Sequence, residues 1–157
     1  MKKIALFVDV QNIYYTTRDT YGRAFNYRKL WNHISTQGEI VNATAYATHR
    51  GDDKQIKFQD ALRHIGFNVK LKPFIQRSDG SAKGDWDVGI TIDVLDSAKS
   101  VDRIILLSGD GDFDLLLDKV NQDYGVHTEV YGVAQLTAHS LINSAGMFHA
   151  ITEDMLL

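Results

Sequence analysis

Two short, almost purely apolar runs constrain the fold of this chain more than any other feature. They cover residues 4–8 and 103–107, and both alternate along the chain with segments that have the spacing of amphipathic helices. A strand that is apolar on both faces is typical of the middle of a parallel sheet, which helices cover from both sides. The chain is therefore predicted to form an α/β fold in which these two strands are central neighbours.

The remaining segments extend this alternation. Further strands are predicted at 40–48, 67–74 and 126–131, and the alternating pattern of 67–74 indicates a half-exposed edge strand. Such a chain is predicted to form a three-layer sandwich with a central parallel sheet in the strand order 3-2-1-4-5. The segment 75–84 is predicted to be a polar loop. Helices are predicted around residues 27–34, 52–65, 87–98, 112–123 and 137–145.

Length, hydrophobic content and the lack of cysteine favour a single globular domain over a membrane or disulfide-rich protein. A length of 157 residues with 44% hydrophobic content suits one packed domain, 1–157, and no apolar run is long enough to span a membrane. The chain has no cysteine, which excludes disulfides and zinc-thiolate sites and fits a cytoplasmic protein. Residues 1–83 hold 14 Lys/Arg and 7 Asp/Glu, whereas residues 84–157 hold 3 and 13. This asymmetry fits an acidic site with a basic rim, and it equally fits two sets of charges that intermix in space.

Acidic residues follow both central strands. The first strand runs into Asp9 and Asn12, and the second runs into Ser108, Asp110 and Asp112. Because neighbouring parallel strands lie about 4.8 Å apart, Asp9 and Asp110 are expected to be close together. Carboxylates at such a distance repel each other, and a divalent cation such as Mg²⁺ relieves the repulsion. A charge directly after a buried strand, like that of Asp9, is costly without a partner.

A third acidic segment precedes the helix at 87–98. Asp87 opens this helix and is predicted to be the third ligand. Asp93 lies six residues further and faces another direction, so we interpret it as an outer acid or a helix-face residue. Helix capping by itself also explains an aspartate at a helix start, and this alternative stays open for Asp87 and Asp112.

Three ordered motifs resemble a known family. They read Phe7-Val8-Asp9-Val10-Gln11-Asn12, then Lys83-Gly84-Asp85-Trp86-Asp87-Val88 with Asp93, then Ser108-Gly109-Asp110-Gly111-Asp112-Phe113. The set resembles the NYN domain of the LabA-like group, within the PIN-like nuclease superfamily, and the resemblance covers nearly the whole chain. It implies a PIN-like α/β/α sandwich and RNA cleavage that depends on Mg²⁺ or Mn²⁺.

The resemblance also implies roles for single residues. Asn12 would orient a ligand carboxylate, a water or a phosphate, Ser108 would steady the loop after the second central strand, and Lys83 would reach a substrate phosphate. The terminal helix of such domains often carries an acid where this chain has Gly146. The acidic site, in catalysis and as metal ligands, would consist of Asp9, Asp87, Asp110 and Asp112.

The resulting hypothesis is metal-assisted hydrolysis of RNA, with single-stranded RNA as the expected partner. Basic residues on nearby loops, first Arg50 and then Lys54 and Arg77, are candidates for contacts with the RNA backbone. Three aromatic rings are candidates for stacking on unpaired bases, although packing in the core or against a helix explains each ring at least as well. The rings in question belong to Tyr14, Tyr15 and Trp86.

Two other classes of function stay open: a non-catalytic RNA- or protein-binding module of the same fold, and a phosphohydrolase that acts on small phosphate esters. The motifs G-x-G-x-x-G, G-K-[ST] and G-x-S-x-G are absent, which argues against dinucleotide enzymes, P-loop ATPases and serine hydrolases. A partner protein, or a homodimer through edge residues such as Phe67 and Val69, also stays open.

Overall fold

The computed structural model describes residues 1–49, 51–73, 75–76, 82–83 and 85–157. Single turns of 3-10 helix lie at Gly111–Phe113, Ala134–Leu136 and Glu153–Met155. The strands and helices follow one another in the order β1 (Lys3–Asp9), α1 (Val10–Tyr21), α2 (Tyr27–Ser35), β2 (Glu39–His49), α3 (Asp53–Ile65), β3 (Asn68–Pro73), β4 (Ile75–Gln76), β5 (Ala82–Lys83), α4 (Asp87–Ala98), β6 (Arg103–Leu107), α5 (Asp114–Asp123), β7 (His127–Gly132), α6 (His139–Ser144) and β8 (Met147–Ala150).

A six-stranded parallel sheet forms the middle layer. Its order is β3-β2-β1-β6-β7-β8, which confirms the predicted 3-2-1-4-5 order and adds one strand beyond the fifth. The two apolar runs pair directly, from Ile4 beside Arg103 to Val8 beside Leu107. The added strand β8 has only four residues, and its partly exposed sequence lacks the apolar pattern by which strands are recognised.

Successive residues of β1 enter two different cores, as the twofold alternation of a strand requires. Ile4, Leu6 and Val8 pack with residues of α1, α2 and α3 on one side of the sheet. Ala5 and Phe7 pack with residues of α4, α5 and α6 on the other side. All five side chains are fully buried, as expected for one of the two central strands of a three-layer α/β/α sandwich.

Helix α1 is the main element that the sequence patterns did not predict. It is polar for a packed helix, and its buried face includes Thr16 and Thr17. The hydroxyl of Thr17 donates to the carbonyl of Ile13 at 2.7 Å, and that of Thr16 donates to the carbonyl of Asn12 at 2.8 Å. Because each hydroxyl finds a partner inside the helix, both polar residues can be buried without an orphaned donor.

Other elements refine the predictions. The edge position of β3 is confirmed, but the loop predicted at 75–84 contains a short antiparallel pair, in which Ile75 lies opposite Lys83. Phe67 is only 3% exposed and packs edge-on against Trp31, so its side chain belongs to the core. The suggested homodimer through this edge of the sheet stays a prediction. Within the described part of the chain, every helix is too short or too polar to cross a lipid bilayer.

Candidate metal centre

Three aspartates from distant parts of the sequence meet at the carboxyl ends of the central strands. Asp9 ends β1, Asp110 follows β6, and Asp87 begins α4. One carboxylate oxygen of each lies within 4.8 Å of the other two, and all three residues are partly buried. The described residues contain this one acidic group of three or more that could hold an ion.

Pairing between β1 and β6 brings the first two aspartates together. Val8 lies beside Leu107, so the residues that follow them leave the sheet side by side. The buried hydroxyl of Ser108 donates to a carboxylate oxygen of Asp9 at 3.1 Å and accepts from the backbone N–H of Asp110 at 3.1 Å. Ser108 therefore steadies the loop after β6 and links the two acidic residues.

Asn12 holds the same loop from the side of α1. Its amide oxygen accepts from the backbone N–H of Gly109 at 2.8 Å. A Cβ atom on Gly109 would lie 2.7 Å from the carbonyl oxygen of Leu136, so only glycine allows this close approach. The amide oxygen of Asn12 thus positions the loop that carries Asp110, while a hydrogen bond from the backbone of Asn12 to the carboxylate of Asp9 opposes the rise that burial causes in the pKa of that group. The predicted contact of Asn12 with a water or a phosphate stays a prediction.

Helix α4 places Asp87, and Asp93 fixes that helix to the sheet. One carboxylate oxygen of Asp93 accepts from the hydroxyl of Tyr46 at 2.7 Å and from the ammonium of Lys70 at 2.7 Å. Asp93 is therefore not a freely solvated residue of the helix face, because its partly buried charge is paired with a lysine of β3. Charge-assisted bonds of this kind are stronger than neutral ones, so they restrict the position of Asp87 at the start of the same helix. The predicted role of Asp93 as an outer acid stays a prediction.

Trp86 belongs to this attachment of α4 and not to a free surface. Its indole N–H donates to the carbonyl of Ala47 at 2.9 Å, and its ring centroid lies 5.4 Å from that of Tyr46. The ammonium of Lys72 lies 4.6 Å from the centre of the indole ring. Of the two interpretations of Trp86, packing describes the observed contacts.

Asp112 lies beside the three carboxylates and is not one of them. It is exposed, and its backbone N–H donates to a carboxylate oxygen of Asp110 at 2.9 Å. Asp110 therefore caps the short turn at Gly111–Phe113 while its carboxylate also faces Asp9 and Asp87. The predicted role of Asp112 as a ligand stays a prediction.

Asp85 is a neighbouring acid that the sequence reasoning did not select. It is exposed, and its carboxylate accepts from the backbone N–H of Asp87 at 3.3 Å. Its negative charge contributes to the raised pKa values of Asp9 and Asp87. The pattern Asp-x-Asp at a helix start was the signal in the sequence that could have identified it.

The electrostatics of the cluster favour a cation. Burial raises the pKa of Asp9 from its ordinary 3.8 to about 6, against the opposing hydrogen bond from Ser108, and the charge of Asp110 adds to the rise. Burial also raises the pKa of Asp87 to about 7, with the charges of Asp110 and Asp85 as the next causes. Among the described residues, the ion pairs of 4.0 Å or less do not include Asp9, Asp87 or Asp110.

The donor atoms fit a hard divalent ion. All three are carboxylate oxygens, which Mg²⁺ and Mn²⁺ prefer over the nitrogen and sulfur ligands that select zinc or copper. Oxygens bound to one Mg²⁺ ion at about 2.1 Å lie roughly 3–4 Å apart, so small side-chain rotations would bring this group to coordinating distance. Waters and phosphate oxygens would complete the coordination shell.

The basic residues predicted to contact substrate are described only in part. The backbone of Lys83 forms β5, and its side chain lies outside the described atoms. Arg50 and Arg77 lie outside the described residues. Lys54 is exposed at the start of α3, where it lines a cavity beside the acid cluster.

Comparison with known proteins agrees with this geometry. The family model for the NYN domain matches residues 3–152. The low amplitude and bright protein LabA of Synechococcus elongatus is 29% identical over 154 residues, which cover 93% of this chain and 82% of LabA. A crystal structure of a Vibrio parahaemolyticus protein of unknown function has a TM-score of 0.94 and 52% identity, and the match covers 99% of this chain and 96% of that one. With its central parallel sheet, its cluster of aspartates and a family match along nearly its whole length, the chain belongs to the NYN domain family of the PIN-like nuclease superfamily.

Proposed function

We propose that this protein is a metal-dependent ribonuclease that hydrolyses RNA phosphodiester bonds. The observation that carries the proposal is the meeting of Asp9, Asp87 and Asp110 within 4.8 Å of one another. Burial and the neighbouring negative charges raise the pKa values of Asp9 and Asp87, and a cation or a proton would relieve this repulsion. Membership of a nuclease-type superfamily supports the same reaction.

Each part of the site has a distinct task in this proposal. The three carboxylates hold Mg²⁺ or Mn²⁺, and a bound ion would activate a water and neutralise charge on the phosphoryl oxygens. Ser108 keeps Asp9 and the Asp110 loop in register, and Asn12 fixes that loop against α1. The charges of Asp112 and Asp85 at the rim would hold outer waters of the ion.

The proposed substrate of this ribonuclease is single-stranded RNA. Lys83, the first residue of the second motif, and Arg50, which directly follows β2 in the sequence, are proposed to contact its phosphates. Their positive charges would offset the repulsion between the acidic cluster and an incoming backbone, and such contacts make affinity fall steeply with salt.

Cleavage of a labelled single-stranded RNA during a Mn²⁺ titration tests the proposal. Asp110→Asn is expected to abolish cleavage because it removes a ligand and leaves the fold in place. Asp96→Asn is the matched control, since Asp96 is an exposed acid on α4 outside the cluster. Equal cleavage by Asp110→Asn and the wild-type protein would contradict the nuclease assignment.

The same assay separates the two alternatives. RNA binding without cleavage at any Mn²⁺ concentration would favour a binding module. Hydrolysis of a small phosphomonoester in clear preference to RNA would favour a phosphohydrolase.

A further inference from the structure

A large open cavity begins at the residue after Asp9. Its volume is about 700 Å³, and it lies between α1, the end of β2 and the first turns of α3. Val10 and Gln11 form the end of its wall nearest the acid cluster, and Arg18 lies further along the same helix. At about 1.5 Å per residue, this wall extends roughly 12 Å from Val10 to Arg18.

One face of α1 lies outside the core and lines this cavity. Gln11, Tyr14, Tyr15 and Arg18 recur at helical spacing, so they share the face that lines the cavity. Tyr14 is 51% exposed and Tyr15 is 44% exposed, although both rings are large enough to contribute to a core. The opposite face, which includes Ile13, is buried against the sheet.

The two tyrosines and the arginine form a connected group. The rings of Tyr14 and Tyr15 meet edge to face, with centroids 5.4 Å apart. The guanidinium of Arg18 lies 5.8 Å from the centre of the Tyr14 ring and donates to its hydroxyl at 3.3 Å. Aromatic rings and guanidinium planes are the surfaces on which unpaired bases stack.

The charged residues in the described wall of the cavity balance one another. The cations Arg18 and Lys54 are balanced by Asp52 and Asp53 in the same wall. The carboxylate of Asp52 also caps α3 by accepting from the N–H of Gln55 at 2.8 Å. Counted over the described residues of the wall, there is no net positive charge to attract a phosphate, whereas the apolar residues of the wall suit a flat, neutral ring.

We infer that this cavity binds unpaired bases of the nucleotides next to the phosphate held at the acid cluster, with Tyr14 and Tyr15 as stacking surfaces. The inference rests on the proposed function for the nature of the substrate. A volume of about 700 Å³ is ample for a nucleoside and falls in the range of ligand pockets. Bases of a duplex are already stacked and paired, so the site selects single strands.

A combined change of protein and RNA tests the inference. The first variant is Tyr14→Ala with Tyr15→Ala, and the control is Tyr124→Ala, a tyrosine at the far end of α5 with similar exposure. Affinity for a labelled single-stranded RNA is measured by fluorescence anisotropy with Ca²⁺, and cleavage is measured separately with Mn²⁺. Each lost stacking contact is expected to weaken binding by roughly 5- to 150-fold, while the control keeps wild-type affinity.

An RNA with abasic positions beside the cleavage site shows whether the rings contact bases. It is expected to bind wild-type protein as weakly as the normal RNA binds the double alanine variant, and the two changes together should add no further loss. Tyr14→Phe with Tyr15→Phe should keep most of the affinity, because stacking needs the rings and not the hydroxyls.

The outcomes for the two proposals are distinguishable. Two results would overturn the base site: normal RNA binding by the double alanine variant, or additive losses of affinity when that variant binds the abasic RNA. The exposed rings would then serve another ligand, such as a protein segment. Cleavage by that variant at the wild-type rate would leave the nuclease proposal standing. Tyrosine-dependent binding of bases without any cleavage would support the base site and contradict only the nuclease activity.

Discussion

Removal of one charge from the acid cluster should stabilise the protein when no metal is bound. The perturbation is Asp9→Asn, which nearly preserves shape and keeps an oxygen that can accept from Ser108. In the folded state the pKa of Asp9 is about 6, against an ordinary 3.8. A difference of this size corresponds to at most about 3 kcal/mol between the charged and neutral forms.

The direction of the pH dependence depends on whether the folded or the unfolded state binds the proton of Asp9 more tightly. The folded state has the raised pKa, so the wild-type protein loses stability as pH rises from about 4 to about 7, and the full loss is present above that range. The asparagine variant has no proton to lose at this position. Metal-free Asp9→Asn should therefore equal the wild-type protein near pH 4 and exceed its unfolding free energy by up to about 3 kcal/mol at pH 8.

Divalent metal should make the wild-type protein more stable than the Asp9→Asn variant. A ligand that binds only the folded state adds RT ln(1 + [L]/Kd) to stability, so Mg²⁺ or Mn²⁺ should raise the unfolding free energy of the wild-type protein and leave that of the variant nearly unchanged. The assay is urea unfolding followed by tryptophan fluorescence, in EDTA and in metal, across this pH range. A wild-type stability that is independent of pH in EDTA, or a variant that is less stable at pH 8 without metal, would refute the reasoning.

Four further substitutions test other parts of the site. Asp87→Asn should abolish Mn²⁺ binding in calorimetry while Asp112→Asn retains most of it, and the opposite ranking would show that the exposed acid is the ligand. Ser108→Ala should weaken Mn²⁺ binding by roughly 10- to 100-fold, because it removes the hydroxyl that orients Asp9, and unchanged affinity would contradict that role. Tyr46→Phe should lower the free energy of unfolding by about 1–3 kcal/mol, because Asp93 loses a hydrogen bond to its charge, and denaturant unfolding would measure the loss.

The strand order and the meeting of Asp9 with Asp110 were both accessible from the sequence. The runs 4–8 and 103–107 are apolar on both faces, and such strands are central in a parallel sheet. Parallel neighbours end at the same edge, so residues that directly follow the two strands must be close whatever the rest of the chain does. The ordered motifs then identified the family, which the match to residues 3–152 confirms.

Helix α1 and strand β8 were less accessible because their patterns are weak. Two buried threonines interrupt the apolar pattern on the inner face of α1, because their hydroxyls donate hydrogen bonds within the helix. Four residues in β8 are too few to show a period. A hydrophobic pattern does not reveal the buried face of a helix when polar side chains on that face form their hydrogen bonds within the helix.

The sequence by itself determined the sheet, its two central strands and the edge of the sheet at which Asp9 and Asp110 meet. These features follow from the local pattern of apolar residues, which shows where a strand lies and whether it is buried on both faces. Tertiary structure alone decided what each acid does there. Asp93 is bound to a tyrosine 47 residues and a lysine 23 residues away in the chain, and no local pattern encodes those partners. The same holds for Tyr14 and Tyr15, whose exposure depends on the cavity that α3 and β2 leave beside α1.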